Sequence, residues 1–206
     1  MKTLFVCVMC LAAALTAAAN VAPYHWEAGD TVLGLYGTGD PPIIVTNVGA
    51  PDPVHWGARS IRLEDNSPSG TPQAYIAWVT DLVDGDVVEA CVWRYDTTPG
   101  GFPSCRISAH WNDDPWDVYG YAGYAGGNLD YGPGEGWDET CHSWTMADGH
   151  TGLVIAVRTY SGLGDTVWID DFTITAPPHA FVIAPAPPQV PVEDFSWAAI
   201  KVLFRP

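Results

Sequence analysis

Asp170 and Asp171 stand side by side within Val167-Trp168-Ile169-Asp170-Asp171-Phe172-Thr173-Ile174-Thr175, two carboxylates in an otherwise β-branched and aromatic run. Such a run reads as a strand, and Pro177-Pro178 close it. On strict alternation Trp168, Asp170, Phe172 and Ile174 share one face, which places Asp170 among apolar side chains. An ionised carboxylate buried there without a partner costs several kcal/mol. Asp170 is therefore expected to be ion-paired, hydrogen-bonded or bound to a metal.

A second set of polar residues falls on the middle strands. Alternation about the loop Asp96 to Pro103 groups Val88, Ala90, Val92, Arg94, Arg106, Ser108 and His110 on one face. It leaves Cys91, Trp93, Tyr95, Cys105, Ile107, Ala109 and Trp111 on a heavier face that reads as core. The strand Leu153 to Tyr160 sorts the same way, with Arg158 on the side of Val154, Ala156 and Tyr160. Arg94, Arg106, His110 and Arg158 on one solvated concave sheet face suit hydroxyl or carboxylate ligands, since guanidinium is a planar fork of donors. Trp116, Tyr119, Tyr121, Tyr124 and Tyr131, on the loop-like stretch Asn112 to Asp138, supply aromatic faces for the apolar side of a sugar ring. The competing reading pairs the arginines with carboxylates and packs the tryptophans in the core.

Catalytic patterns are weak. Glycoside hydrolysis needs two facing carboxyls. Glu135, Asp138 and Glu139 cluster only in a glycine-rich turn, with no alternating Glu-x-Asp-x-Glu strand and no Gly-x-Ser-x-Gly. His110 and Tyr121 are a conceivable acid–base pair for a lyase. The pattern favours a non-catalytic domain.

The elements that must position these residues are short strands separated by Gly, Pro, Asn and Asp. They are Ile43–Val48, Arg59–Glu64, Ala74–Thr80, Asp86–Tyr95, Ser104–Trp111, Cys141–Met146, Leu153–Tyr160 and Val167–Thr175, with one or two more near Val118–Tyr124. No helical period is sustained, so the fold class is all-β, a β-sandwich of jelly-roll type. Residues 1–19 read as a signal peptide, 20–176 as the domain, 177–191 as a Pro-rich linker, and 192–206 as a tail able to form a short amphipathic helix. The tail resembles the short Trp-containing C-terminal tails of exported bacterial proteins, which implies surface attachment; a frayed end fits its spacing equally.

A net charge of −16 with only 8 Lys and Arg argues against nucleic acid or an anionic membrane as partner. No transmembrane segment follows residue 19. Secretion permits a disulfide among Cys91, Cys105 and Cys141. A hairpin centred on Thr98 would face Cys91 toward Cys105.

Trp26-Glu27-Ala28-Gly29, Gly57-Ala58-Arg59-Ser60-Ile61-Arg62-Leu63, Trp144 and Trp168-Ile169-Asp170-Asp171-Phe172 together resemble the extracellular carbohydrate-binding jelly-roll modules of families four, nine and twenty-two. The resemblance spans Trp26 to Thr175. It implies a galactose-binding-domain-like fold in a secreted, non-catalytic module that binds polysaccharide or glycan on a concave sheet face. It further implies a structural calcium held by Glu27 and Asp170, with Asp171 as a third ligand and carbonyls of the Ala28-Gly29 turn and the Arg59 region completing the shell. The alternative is a structural or adhesion domain of the bacterial cell surface without glycan binding.

Overall fold

The computed structural model describes residues 20–97, 105–130, 132, 134–159 and 162–185. Residues 1–19, expected as a signal peptide, most of the stretch expected as linker and the expected tail lie outside the described residues, as do Tyr131 and Tyr160. All regular structure among the described residues is strand, and none of it is a helix long and apolar enough to cross a membrane.

Among the described residues twelve strands form two antiparallel sheets. The first contains β1 (Asn20–Tyr24), β3 (Ile43–Val48), β4 (Ser60–Asp65), β6 (Val87–Asp96), β9 (Gly136–Thr145) and β11 (Thr166–Ala176), in the order β3-β4-β11-β6-β9 with β1 also on β11. The second contains β2 (Gly34–Tyr36), β5 (Gln73–Thr80), β7 (Cys105–Trp111), β8 (Gly123–Gly127), β10 (Leu153–Thr159) and β12 (Phe181–Ile183), in the order β12-β5-β10-β7-β8 with β2 also on β5. Inner faces rich in branched side chains pack together: Ile61, Leu63, Val92 and Ile169 from one sheet meet Ile76, Ile107, Leu153 and Ile155 from the other. Removing these from water is the main stabilising term of the sandwich.

Three short strands escape sequence reading. β1 and β2 are edge pieces, and β12 falls in the stretch expected as linker, where Phe181, Val182 and Ile183 pair with Thr80, Val79 and Trp78. Edge strands need only one neighbour, so little in their composition marks them.

The hairpin joining Cys91 to Cys105 does not exist. β6 pairs with β9 and β11, whereas β7 pairs with β8 and β10, so the chain crosses between sheets and the two strands face each other through the core. Crossing reverses the side of β6 that faces inward. Val88, Ala90, Val92 and Arg94 point into the core, while Cys91, Trp93 and Tyr95 lie on the outer face, half-buried. β7 and β10 follow the expected sorting, with Arg106, Ser108, His110 and Arg158 outward. The disulfide accordingly joins Cys91 to its register partner Cys141, and Cys105 is a buried free thiol that burial pushes up to about 12.

β11 departs from strict alternation. A bulge between Asp170 and Thr173, with Asp171 at φ 47°, changes the phase of the strand. Val167 and Ile169 face the core before it; Phe172, Ile174 and Ala176 face the core after it. Asp170 thus lies with Trp168 on the outer face, and its burial comes from a loop laid over it rather than from the core.

Candidate functional site

On the outer face of the second sheet, strand register aligns side chains in rows. Trp78, Val154 and His110 form one row, Tyr75, Ala156 and Ser108 the next, and Gln73, Arg158 and Arg106 the third. The middle row is small at two of its three positions, and a cleft of ≈ 920 Å³ runs along this face. That is room for a drug-sized or oligosaccharide ligand. Tyr36, Tyr75, Tyr119, Tyr121 and Tyr124 line it with His110, Arg158 and Gln73.

The rings brace one another. His110 lies 5.2 Å from Tyr75 and 5.5 Å from Tyr121, and Tyr75 lies 5.9 Å from Tyr119. Gly34 permits this packing: a Cβ there would come within 3.0 Å of both the Tyr119 and Tyr75 rings. Arg158 places its guanidinium carbon 5.2 Å from the Tyr124 ring centroid, a cation–π contact that fixes the ring on the cleft wall. Burial, with smaller effects of Tyr119 and Tyr36, pushes the Tyr75 hydroxyl up to about 12, so it remains a donor. Burial also lowers the His110 pKa, against the opposing effect of its backbone hydrogen bond with Gly120, and the ring is neutral at pH 7. His110 Nε2 is buried and meets no partner among the described residues, as do Ser108 Oγ and Trp78 Nε1 on the same sheet face. Buried polar atoms left without a protein partner are where a ligand hydroxyl or water adds most.

Of the binding residues expected from sequence, His110, Tyr121 and Arg158 come together in this cleft. Arg106 sits beside Arg158 in register and donates from Nη1 to Asn128 O at 2.9 Å. Arg94 is displaced. Inward-facing on β6, it donates from Nη1 to Cys105 O (2.6 Å) and Asp130 O (3.1 Å) and from Nη2 to Asp138 Oδ2 (2.7 Å), linking the two sheets. Trp116 is 91% exposed at a loop turn capped by Asp114 and does not line the cleft. Tyr36 was missed because it lies on an unrecognised edge strand, and Tyr75 because the apolar run Ala74–Val79 has no polar alternation by which to assign its faces. Val118, on the same stretch as Tyr119 and Tyr121, packs against the cluster of Tyr75, Trp78, Val154 and Ala156, so this stretch covers one part of the sheet face and lines the cleft beside it.

A second arrangement surrounds Asp170. β1 ends at Tyr24 opposite Phe172, and β4 covers β11 only as far as Ile61 opposite Ile169. Asp170 and Asp171 fill the gap on that strand edge, and the segment running up to β4 folds over them. Asp170 Oδ2 accepts the amides of His55 and Trp56, both at 2.9 Å, and Oδ1 accepts the Asp171 amide at 2.8 Å. Burial raises the Asp170 pKa, the three amides oppose this, and the neighbouring Asp171 charge adds to it. Glu27 repeats the device one step along, its Oε1 accepting the amides of Ala58 (2.9 Å) and Arg59 (3.0 Å).

Gly57 is required between them. Its φ is +71°, and a Cβ would fall 2.3 Å from Glu27 Oε1. Gly57→Ala is expected to cost about 2 kcal/mol through left-handed strain and loss of the Glu27 cap. Thermal unfolding reads this; an unchanged melting temperature would show that the loop is not held by Glu27.

The calcium set implied by the sequence resemblance does not fit these residues. Glu27 is engaged by backbone amides rather than carbonyls, and it is not in the group that His25, Asp170 and Asp171 form. Calcium requires about six to eight oxygens, whereas the groups meeting Asp171 are imidazole nitrogens.

No protein-family model matches the chain, and no curated protein matches it. Solved structures do. The CBM22-1 xylan-binding domain of Paenibacillus barcinonensis Xyn10C superposes with a TM-score of 0.54 at 14% identity, over 78% of this chain and 96% of that one. The C-terminal family 22 carbohydrate-binding module of Clostridium thermocellum Xyn10B gives 0.52 at 15% identity, over 76% and 92%. The fold is that of the family 22 carbohydrate-binding modules. At this identity the likeness concerns architecture, and the expected jelly-roll sandwich is the architecture found.

Proposed function

We propose that this chain is a secreted, non-catalytic carbohydrate-binding domain that holds a polysaccharide along the tyrosine-lined cleft of its second sheet. The observation that carries the reading is the cleft itself: five tyrosines and Arg158 around a neutral His110 whose Nε2 has no partner among the described residues. Tyrosine faces suit the apolar side of a pyranose, and His110, Gln73 and the tyrosine hydroxyls suit its hydroxyls. Neighbours in fold named for xylan binding support the ligand class. No carboxylate is among the described residues lining the cleft, so the two groups of a glycosidase have no place in it. The Cys91–Cys141 disulfide supports export to an oxidising compartment.

Affinity electrophoresis through xylan, mixed-linkage β-glucan and uronic acid polymers tests the proposal. Retention by at least one polymer is expected, weakened about tenfold (about 1.4 kcal/mol) or more by Tyr121→Ala or His110→Ala. Mobility unaffected by every polymer would favour a structural or adhesion role at the cell surface. A second reading rests on the approach of His110 to Tyr121 in a cleft that also holds Arg158, groups that β-elimination of a uronic acid could use as acid, base and carboxylate partner. Unsaturated products from a uronic polymer would establish it in place of simple binding.

A further inference from the structure

The cleft of the second sheet has the opposite sign to the chain that builds it. The sequence carries 24 Asp and Glu against 8 Lys and Arg, yet among the described residues lining the cleft none is a carboxylate and Arg158 alone carries a full charge. At physiological ionic strength the field of exposed, distant carboxylates is screened over about 8 Å. A ligand seated in the cleft therefore meets the local positive charge rather than the net negative one.

Strand register fixes what that charge stands beside. Tyr36, Gln73, Arg158 and Arg106 form one row across β2, β5, β10 and β7, and Gly34, Tyr75, Ala156, Ser108 and Gly127 form the next. The second row is small at every position except Tyr75, so it makes a floor on which a sugar chain can lie. Arg158 and Gln73 stand along one side of that floor, and His110 stands along the other. Arg158 is directly opposed by Arg106, and opposed like charges in a sheet are destabilising. An anion set against the pair offsets that repulsion. The Arg158 guanidinium carbon lies 5.2 Å from the Tyr124 ring centroid, a contact that positions the fork before any ligand arrives.

His110 supplies the second point of recognition. The residue is 4% exposed, and its Nε2 is buried without a partner among the described residues. With the ring neutral and its other nitrogen engaged by the Gly120 backbone, Nε2 holds the lone pair and accepts a hydroxyl proton. We propose that the cleft selects a hexuronate, Arg158 and Gln73 taking its C6 carboxylate while His110 Nε2 accepts a ring hydroxyl from the opposite side. Guanidinium–carboxylate hydrogen bonds are charge-assisted and about twice as strong as neutral ones, so the CH2OH of a neutral hexose is the poorer partner. This inference rests on the cleft being the polysaccharide site. The uronate can belong to a polymer backbone, as in polygalacturonate, or to a branch, as in glucuronoxylan; the chemistry at Arg158 is the same.

The test is affinity electrophoresis of the full chain, in chelator-containing buffer, through polygalacturonate, through the same polymer with its carboxyl groups chemically reduced to CH2OH, through glucuronoxylan and through unsubstituted xylan. At least one acidic polymer is expected to be retained about tenfold or more tightly than its neutral counterpart. Preference for polygalacturonate identifies a backbone uronate, and preference for glucuronoxylan a branch. Arg158→Gln should bring the acidic and neutral affinities to within about twofold of each other, and Arg158→Lys, which keeps the charge without the fork, should retain part of the difference. Tyr121→Ala should weaken both members of a pair alike. Equal retention of acidic and neutral polymers by the wild-type protein would overturn the uronate inference and leave the carbohydrate-binding reading standing. So would an acidic preference that survives Arg158→Gln. Retention by none of the polymers would overturn both.

Discussion

Asp170→Ala is expected to lower the unfolding free energy by about 3 kcal/mol or more, among the largest effects of any single polar substitution here. The reason is the number of donors left behind. Asp170 is fully buried and accepts the amides of His55, Trp56 and Asp171. A buried donor stripped of its acceptor costs about 1–3 kcal/mol. Water can recover part of this, because Trp56 is itself exposed and the loop can lift. Lifting the loop then withdraws His55 from Asp171 and uncovers the outer face of Trp93. Asp170→Asn separates the contributions. Its one oxygen can keep the His55 and Trp56 amides while its NH2 opposes the Asp171 amide, so a loss of about 1–2 kcal/mol is expected. Urea unfolding of chelator-treated protein measures both without the influence of any metal. If Asp170→Ala unfolds at the wild-type midpoint, the clasp contributes nothing and the loop is held by packing alone.

The Asp170-Asp171 pair shows both what the sequence reveals and where it stops. Strand composition locates β11 to within a residue, and the burial argument correctly demands partners for Asp170. Its partners are backbone amides, which have no sequence signature. Strict alternation fails at the bulge, because a residue at positive φ shifts every later side chain and Asp171 is not a glycine that would have flagged it. The histidines were invisible for a related reason. His25 and His55 lie more than 100 residues from Asp171 in sequence, and the His-Trp pair they share recurs at His110-Trp111 on the other sheet, so nothing local marks them. On the other sheet, Arg106, His110 and Arg158 were placed correctly because β7 and β10 alternate without interruption on that face. Arg94 was not, since its orientation depends on which sheet β6 joins, a tertiary fact that local periodicity does not contain.

The same crossing between sheets decides the disulfide, and it makes a second large effect. Cys91 and Cys141 are register partners on β6 and β9, 4.1 Å apart at Cα, and the bond closes a loop across a sequence separation of 50. That loop includes β7 and β8, which belong to the opposite sheet. Restricting so long a loop in the unfolded chain stabilises the fold by about 4 kcal/mol on the chain-entropy account. The Cys91→Ala/Cys141→Ala double variant is expected to lose most of this while keeping the β6–β9 ladder, whose remaining register pairs do not involve sulfur. Cys105 cannot substitute as a partner. It faces inward from β7, buried, with its thiol held protonated, and should react with alkylating reagent only after denaturation. Non-reducing peptide mapping should join the peptides carrying Cys91 and Cys141 and leave that carrying Cys105 alone. A Cys91–Cys105 linkage would require β6 and β7 to be neighbours in one sheet, and finding it would overturn the strand order as well as the disulfide.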